Sequence, residues 1–325
     1  MTRLVLLAPT TLLGKELIEK LDARPDLWQE LDLLSLDEEE VGALTDAAGA
    51  AALVRRAEPE ALAGADVVFV CGASATYREI LAGRGAATTV VFLDPAADEP
   101  EAVPVVAGLN LDQALPGRLL ASPHPGALLL AHLLQPLVAA GVRETVATLV
   151  QPASLYDRAG LDELFEQARR LVSLQGQEPS ELFGRQLAFN LYPARRQPPR
   201  LAALARQVLG VGEGDLPLAV QVLQGAVFHG LSALVHVHLG EDLPPDEVRR
   251  RLATNPLIEL SEPGEGGEDL LGPIDVAASE AVVVGPVERD PDGGTWIWAV
   301  MDNLTRGGAT NAVAILEQVT GAPVH

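Results

Sequence analysis

Four short apolar runs within the first hundred residues limit what this chain can fold into: Leu4–Ala8, the segment ELDLLSL ending at Leu36, Ala65–Cys71 and Thr89–Asp94. Continuous apolar runs of this length suit strands buried on both faces, and the helical pattern Gly14–Leu21 between the first two supplies a crossover. The expected fold class is α/β, with an N-terminal Rossmann-like, doubly wound parallel sheet. Beyond Pro136 the pattern changes. Thr145–Gln151, Leu218–Gln224, Leu231–Leu239, Ala281–Val287 and Thr295–Met301 read as longer strands, and the alternation in VHVHL, Val235–Leu239, suits a sheet with two different faces. Gly160–Leu174, Arg200–Val208, Pro245–Thr254 and Ala309–Val319 read as helices. Arg195–Arg200 and Glu262–Gly267 read as surface loops. The second block is therefore an α+β domain. The expected boundaries are 1–122 for the nucleotide-binding-type domain, with a C-terminal helix at 305–325 returning to it, and 123–304 for the second domain.

Charge excludes some functions. The 23 Lys and Arg against 45 Asp and Glu leave a net charge of −22, which argues against nucleic acid and anionic membrane as partners, since both require clustered positive charge. The longest apolar stretch, Gly126–Leu134, is far too short to span a bilayer. The first residues, MTRLVLLAP, read as a strand rather than a signal sequence, and a single cysteine fits a reducing compartment, so a cytoplasmic protein is expected. That cysteine, Cys71, reads as a small buried hydrophobe at a strand end. His236 and His238 share one strand face, but no Cys or carboxylate spacing completes a metal site. No metal is expected.

Chemistry concentrates on LLASPHPGALLLAHLLQPL, Leu119–Leu137, where a strand-like lead-in turns at two prolines into an apolar helix. Enzymes place nucleophiles at such helix starts, because unpaired N–H groups and the helix dipole stabilise a thiolate or oxyanion there. This turn offers only His124, Pro125 and Gly126. At the other end of the chain, DNLTRGGATNAVAILEQ closely resembles a segment of the aspartate-semialdehyde dehydrogenases. Other stretches fall in the same order: LVLLAPTTLLGKEL is similar to the opening strand and GATGxVG turn of that family, DVVFVCG and VVFLDPA to later strands, LVQPAS to TYQAVS, AFNLYP to AFNxxP, and QGAVFHGLSALVHVHL to RVPVFxGHSxSVHV. The likeness covers essentially the whole chain. It is that of a divergent homologue lacking the catalytic cysteine, similar to the Usg-type dehydrogenase-like proteins.

The resemblance implies that the acyl-enzyme cysteine of the family falls on Pro125, the substrate-binding arginine on Gln224 and the general-base histidine on Leu231. Gln151 alone keeps its letter. Proline has no nucleophilic atom, leucine moves no proton, and glutamine forms no charged bidentate pair with a carboxylate. In the phosphate turn Ala8 and Thr11 replace the two glycines that let backbone approach a pyrophosphate, while Thr10 and Gly14 remain. Thr10, Thr11, Gly14, Gly307 and Asn311 are the candidate cofactor contacts. No cofactor is expected, with NADP as the alternative. The chain reads as a catalytically inactive homologue acting as a dimeric scaffold, regulator or ligand-binding protein; the alternative is an NADP-dependent oxidoreductase with a rearranged site. A homodimer is expected, together with a polar cleft for a small anion or amino-acid-like ligand, lined by His124, His229, Gln151 and Gln224. That cleft assumes His229 lies on the same strand as Leu231 and faces the same way.

Overall fold

Leu4, Val5, Leu6 and Leu7 are wholly buried in β1 (Arg3–Leu7), the central strand of the first sheet in a computed structural model of the chain. The structure describes residues 2–47, 50–94, 99–176, 181–195, 198, 200–262 and 270–322. Of the two segments expected to be loops, Arg195–Arg200 lies half outside them and Glu262–Gly267 almost wholly outside. Two compact units emerge, Met1–His124 with Gly308–His325, and Pro125–Gly307.

In the first unit β1 is followed by β2 (Glu30–Ser35), β3 (Leu44–Ala47), β4 (Ala50–Leu53), β5 (Arg55–Arg56), β6 (Val67–Val70), β7 (Thr89–Phe92), β8 (Val103–Pro104) and β9 (Leu119–Ala121). Strands β3 and β4 form a separate antiparallel hairpin. The others pair in parallel in the order β5-β2-β1-β6-β7-β9-β8. This is the Rossmann-like sheet expected from the apolar runs. The chain steps from β1 to β2 on one side and reaches β6 on the other, so the strand order reverses beside β1. The carboxyl ends of β1 and β6 flank the crevice where sheets of this kind bind ligands.

Two helices cover this reversal point and its neighbours. Helix α1 (Leu12–Asp22) buries Leu13, Leu17, Ile18 and Leu21 at helical spacing. Helix α2 (Arg78–Leu81) is a single short turn after β6. The C-terminal helix α7 (Thr310–Thr320) belongs to the same unit. It is held by an ion pair between Arg24 and the buried Glu317, and by Asn311. The wholly buried Asn311 amide accepts from Ala107 N–H at 2.8 Å and donates to Val105 O and Ser122 Oγ, both at 2.9 Å.

The second unit is built on a mixed sheet. Its strands are β10 (Val142–Gln151), β11 (Leu191–Pro193), β12 (Leu218–Gly225), β13 (Leu231–Leu239), β14 (Ile258–Leu260), β15 (Val282–Arg289) and β16 (Thr295–Met301), in the order β11-β12-β10-β13-β16-β15-β14. Alternation decides its faces. Ala233, Val235 and Val237 of β13 are buried, while Leu234, His236 and His238 point the other way. Helices α3 (Pro125–Val138), α4 (Asp157–Val172), α5 (Leu201–Leu209) and α6 (Pro245–Leu252) complete the unit, with α3 packing against α5, α6, β10, β13 and β15. Helix α3 is almost entirely buried, which explains why it reads as one apolar run.

Asn311→Ala is expected to destabilise the protein by about 3 kcal/mol, because it leaves a buried N–H and a buried carbonyl unanswered as well as removing three hydrogen bonds. Urea unfolding measures this. A change within about 0.5 kcal/mol, the range of ordinary surface substitutions, would show that α7 is held by other means.

Candidate functional site

Pro125 is the first residue of α3 and is buried. Proline suits a first helical turn, where the missing N–H would have had no helical partner. Its ring faces a π-helical turn, Thr305–Ala309. A Cβ at Gly307 would lie 2.9 Å from Pro125 Cβ and 3.0 Å from Met301 Cε, so only glycine fits against the ring. The Gly307 N–H donates to Asp302 O at 3.0 Å. Gly307, a candidate cofactor contact, is thus covered by Pro125 and Met301, and its amide is already used.

Gln151 and Gln224 end up side by side because β10 and β12 run parallel with these two residues in register. Both are buried, at 4% and 1% exposure. Gln151 Nε2 donates to Gln224 Oε1 at 2.7 Å and to the Tyr156 hydroxyl at 3.3 Å, while Gln224 Nε2 donates to Gln151 O at 3.2 Å. The side chain and the backbone of Gln151 together answer the Gln224 amide. Leu231, where the resemblance places the family's base, is fully buried at the start of β13 opposite Met301 of β16.

His229 departs from expectation. It sits in an exposed bend, not on a strand, and Gly230 at φ +87° separates it from β13. Strand alternation therefore does not carry from Leu231 back to His229, and the argument that put His229 beside the two glutamines fails. The bend is fixed instead by Asn303, whose Oδ1 accepts from Gly230 N–H at 3.0 Å and which exchanges hydrogen bonds with Ser154 Oγ at 3.1–3.2 Å. Asp302 next to it accepts from Leu304 and Thr305 N–H, both at 2.9 Å, and from Ala278 N–H at 2.9 Å. Asn303 and Gly307-Gly308 offer turn chemistry in the sequence. The partners of Asn303, 149 and 73 residues away, left no local trace.

In the first unit the phosphate turn has become a packed corner. Ala8 takes φ +58°, the left-handed conformation natural to the glycine it replaces. Its Cβ would lie 2.8 Å from a Cβ on Gly72, across the ends of β1 and β6, so Gly72 is held to glycine by the Ala8 side chain. Thr11 caps α1, accepting from Gly14 N–H at 3.0 Å and donating to Ala8 O at 2.9 Å. A Cβ on Gly14 would lie 2.7 Å from the Ala8 and Pro9 carbonyl oxygens, which gives this glycine its packing role. The Thr10 hydroxyl is buried without a partner. Bare backbone at the reversal point is replaced by an Ala8 methyl, and the Gly14 amide is taken by the cap. Asn311, the remaining cofactor candidate, spends its side chain on the unit's own backbone and on Ser122.

The other singled-out residues are structural by position. Cys71 follows β6 and is buried; burial pushes its thiol up to about 12, so it is no thiolate. His236 and His238 stack edge to face, with centroids 4.8 Å apart, and His236 Nε2 lies 3.1 Å from Asp290 Oδ2 without hydrogen-bond alignment. Among the described residues no group of three His, Cys, Asp or Glu is placed to hold a metal, and no helix is long and apolar enough to cross a membrane.

These features define an α/β protein with a Rossmann-like first unit and a mixed-sheet second unit. No protein-family model matches the chain. It is 31% identical over 265 residues to a USG-1 protein homolog of Pseudomonas aeruginosa and 30% identical over 266 residues to one of Azotobacter vinelandii, covering 77% of each partner chain and of itself. The structure of a probable aspartate-semialdehyde dehydrogenase from Pseudomonas aeruginosa superposes with a TM-score of 0.82 at 26% identity, covering 97% of both chains. The chain belongs to the aspartate-semialdehyde dehydrogenase family, together with the USG-1 homologues.

Two buried histidines set an acid limit. Burial lowers His124 to about 4, and burial with the nearby Arg306 charge lowers His132 to about 3. Unfolded, each takes up a proton near pH 6.5; folded, each refuses it until the lower value. Stability is therefore complete above about pH 6.5 and falls as pH drops, by at most about 1.4 kcal/mol per unit for each histidine. Urea unfolding between pH 6.5 and 4.5 is expected to show this slope, reduced by about half in His132→Asn. An unchanged slope in that variant would remove His132 from the account.

Proposed function

We propose that this chain is a catalytically inactive member of its family, serving as a dimeric scaffold, regulator or ligand-binding protein. One observation carries the reading: the only cysteine in the chain is Cys71, a buried thiol whose ionisation burial opposes, while Pro125 occupies the helix start where the resemblance places the nucleophile. Gln224 and Leu231 add to it. The first is tied into an amide pair and the second into the core, so neither anchors a carboxylate or moves a proton. Loss of one member of a catalytic unit already removes most of the rate, on the order of 10⁶-fold.

The phosphate turn supports the same reading for the cofactor. A dinucleotide's pyrophosphate is cradled by free N–H groups at a helix start with no side chain in the way. The Ala8 methyl and the Thr11 cap do not fit that requirement, so no reaction step is assigned to NADP. The assay is direct. Purified protein supplied with aspartate semialdehyde, phosphate and NADP is expected to form no NADPH above background; turnover of roughly 1 s⁻¹, the low end of ordinary enzymes, would overturn the reading and revive the oxidoreductase alternative.

The sheet of the second unit supports a homodimer formed through it. The face opposite the helices presents Val146, Leu234 and Trp296 at 44%, 39% and 37% exposure, on the adjacent strands β10, β13 and β16. An antiparallel or mixed sheet with both faces apolar requires cover on both. Light scattering is expected to give twice the mass of one chain, and Leu234→Glu is expected to halve it. A monomer at micromolar concentration in the unaltered protein would contradict the proposal.

A further inference from the structure

Arg306 is the largest fully buried side chain among the described residues, at 2% exposure, and neither its Nε–H nor its Nη2–H groups have a hydrogen-bond partner. A guanidinium left so is costly, because the interior neither solvates the charge nor answers its donors. The nearest opposing influence is Glu280, which lies at the surface.

A second unanswered donor lies on α3. Asn255 Oδ1 accepts from Leu257 N–H at 3.0 Å, which fixes its amide so that Nδ2 reaches His132 O at 3.3 Å and His132 Nδ1 at 3.2 Å. Nδ1 is therefore the acceptor. The ring is neutral, since burial and the Arg306 charge hold its protonation down to about 3, and its one proton sits on Nε2. That Nε2–H is fully buried and has no partner.

The chain brings these groups to one region. Arg306 directly precedes Gly307, which packs on Pro125 at the start of α3. His132 is seven residues further on, two helical turns along the same face and about 10 Å along the axis. An arginine side chain reaches most of that distance. Every unanswered group here is a donor: Arg306 Nε–H, Arg306 Nη2–H and His132 Nε2–H. A water would accept two of them and leave the charge uncompensated. The Nε and Nη2 edge of a guanidinium is the fork that grips a carboxylate, and the π-helical turn that carries Arg306 is of a kind found often at functional sites.

We propose that Arg306 and His132 form an interior site for a small monovalent anion, chloride or a carboxylate the size of formate. The site uses none of the residues at which the resemblance places the family's nucleophile, anchor and base, and it stands whether or not the chain turns over substrate. Thermal unfolding of the full chain tests it, with sodium chloride or sodium formate titrated against a bulky sulfonate at constant ionic strength. A saturable rise in Tm is expected with at least one of the two, growing as the logarithm of concentration above the Kd; a response to chloride alone or to formate alone names the occupant.

Arg306→Met separates the site from general salt effects. Removing an uncompensated buried charge while keeping its volume is expected to raise Tm in the sulfonate buffer and to abolish the response to both ions. His132→Phe is expected to weaken the response at least several-fold in apparent Kd. The proposal is overturned by a wild-type chain with no saturable response to either ion, by an Arg306→Met chain that keeps the response, or by an Arg306→Met chain that is less stable or unfolded in the sulfonate buffer, since the guanidinium would then be answered from within.

Discussion

The hydrogen bond between Gln151 and Gln224, 2.7 Å long and closed to solvent, shows the constraint on which the rest of the second unit depends. Parallel pairing of β10 and β12 forces two polar side chains into one buried spot. In that spot a buried arginine would need an anionic partner, whereas Gln224 is answered by the side chain and backbone of Gln151. Where the resemblance places a ligand-binding arginine, the protein holds a side chain that is complete without a ligand, and Leu231 and Pro125 are taken up in packing. The bend before β13 follows, pinned by Asn303 to Gly230 and Ser154.

The first unit shows the same relation at its reversal point. Where the resemblance places the family's glycines stand Ala8 and Thr11, yet the backbone of Ala8 takes a glycine-like φ of +58°. A left-handed alanine costs about 1–2 kcal/mol, so this conformation is imposed by the corner between β1 and α1 rather than chosen by the residue. Gly14 and Gly72 persist because carbonyl oxygens and the Ala8 methyl leave no room for a Cβ. Glycine survives where packing demands it and is lost where only a ligand did. Arg306 is the exception to this pattern of self-sufficiency: a buried charge with two donor groups that have no hydrogen-bond partner.

The fold was legible because its signals are local. Leu4–Leu7, Val67–Val70 and Thr89–Phe92 are buried on both faces and read as unbroken apolar runs, and Leu231–Leu239 alternates because one of its faces is turned away from the helices. The substituted positions were legible through resemblance alone. What could not be read was pairing across the chain. Gln151 meets Gln224 through strand register, 73 residues apart, and Asn311 meets Ala107 at a separation of 204. His229 was misplaced because the strand pattern said nothing of the positive φ at Gly230, which ends the strand one residue earlier. Nothing in the sequence sets Arg306 apart; its burial and its unanswered donors distinguish it.

The claim that positions 125, 224 and 231 now serve packing is tested most directly by returning them together to the family's residues, Pro125→Cys, Gln224→Arg and Leu231→His, and measuring the free energy of unfolding in urea. Burying an unanswered guanidinium beside Gln151 and an imidazole in place of a fully buried leucine is predicted to lower stability by several kcal/mol, without aldehyde-dependent turnover. A reverted chain as stable as the original, and able to reduce NADP, would show that the site had been kept open for catalysis and would contradict the account.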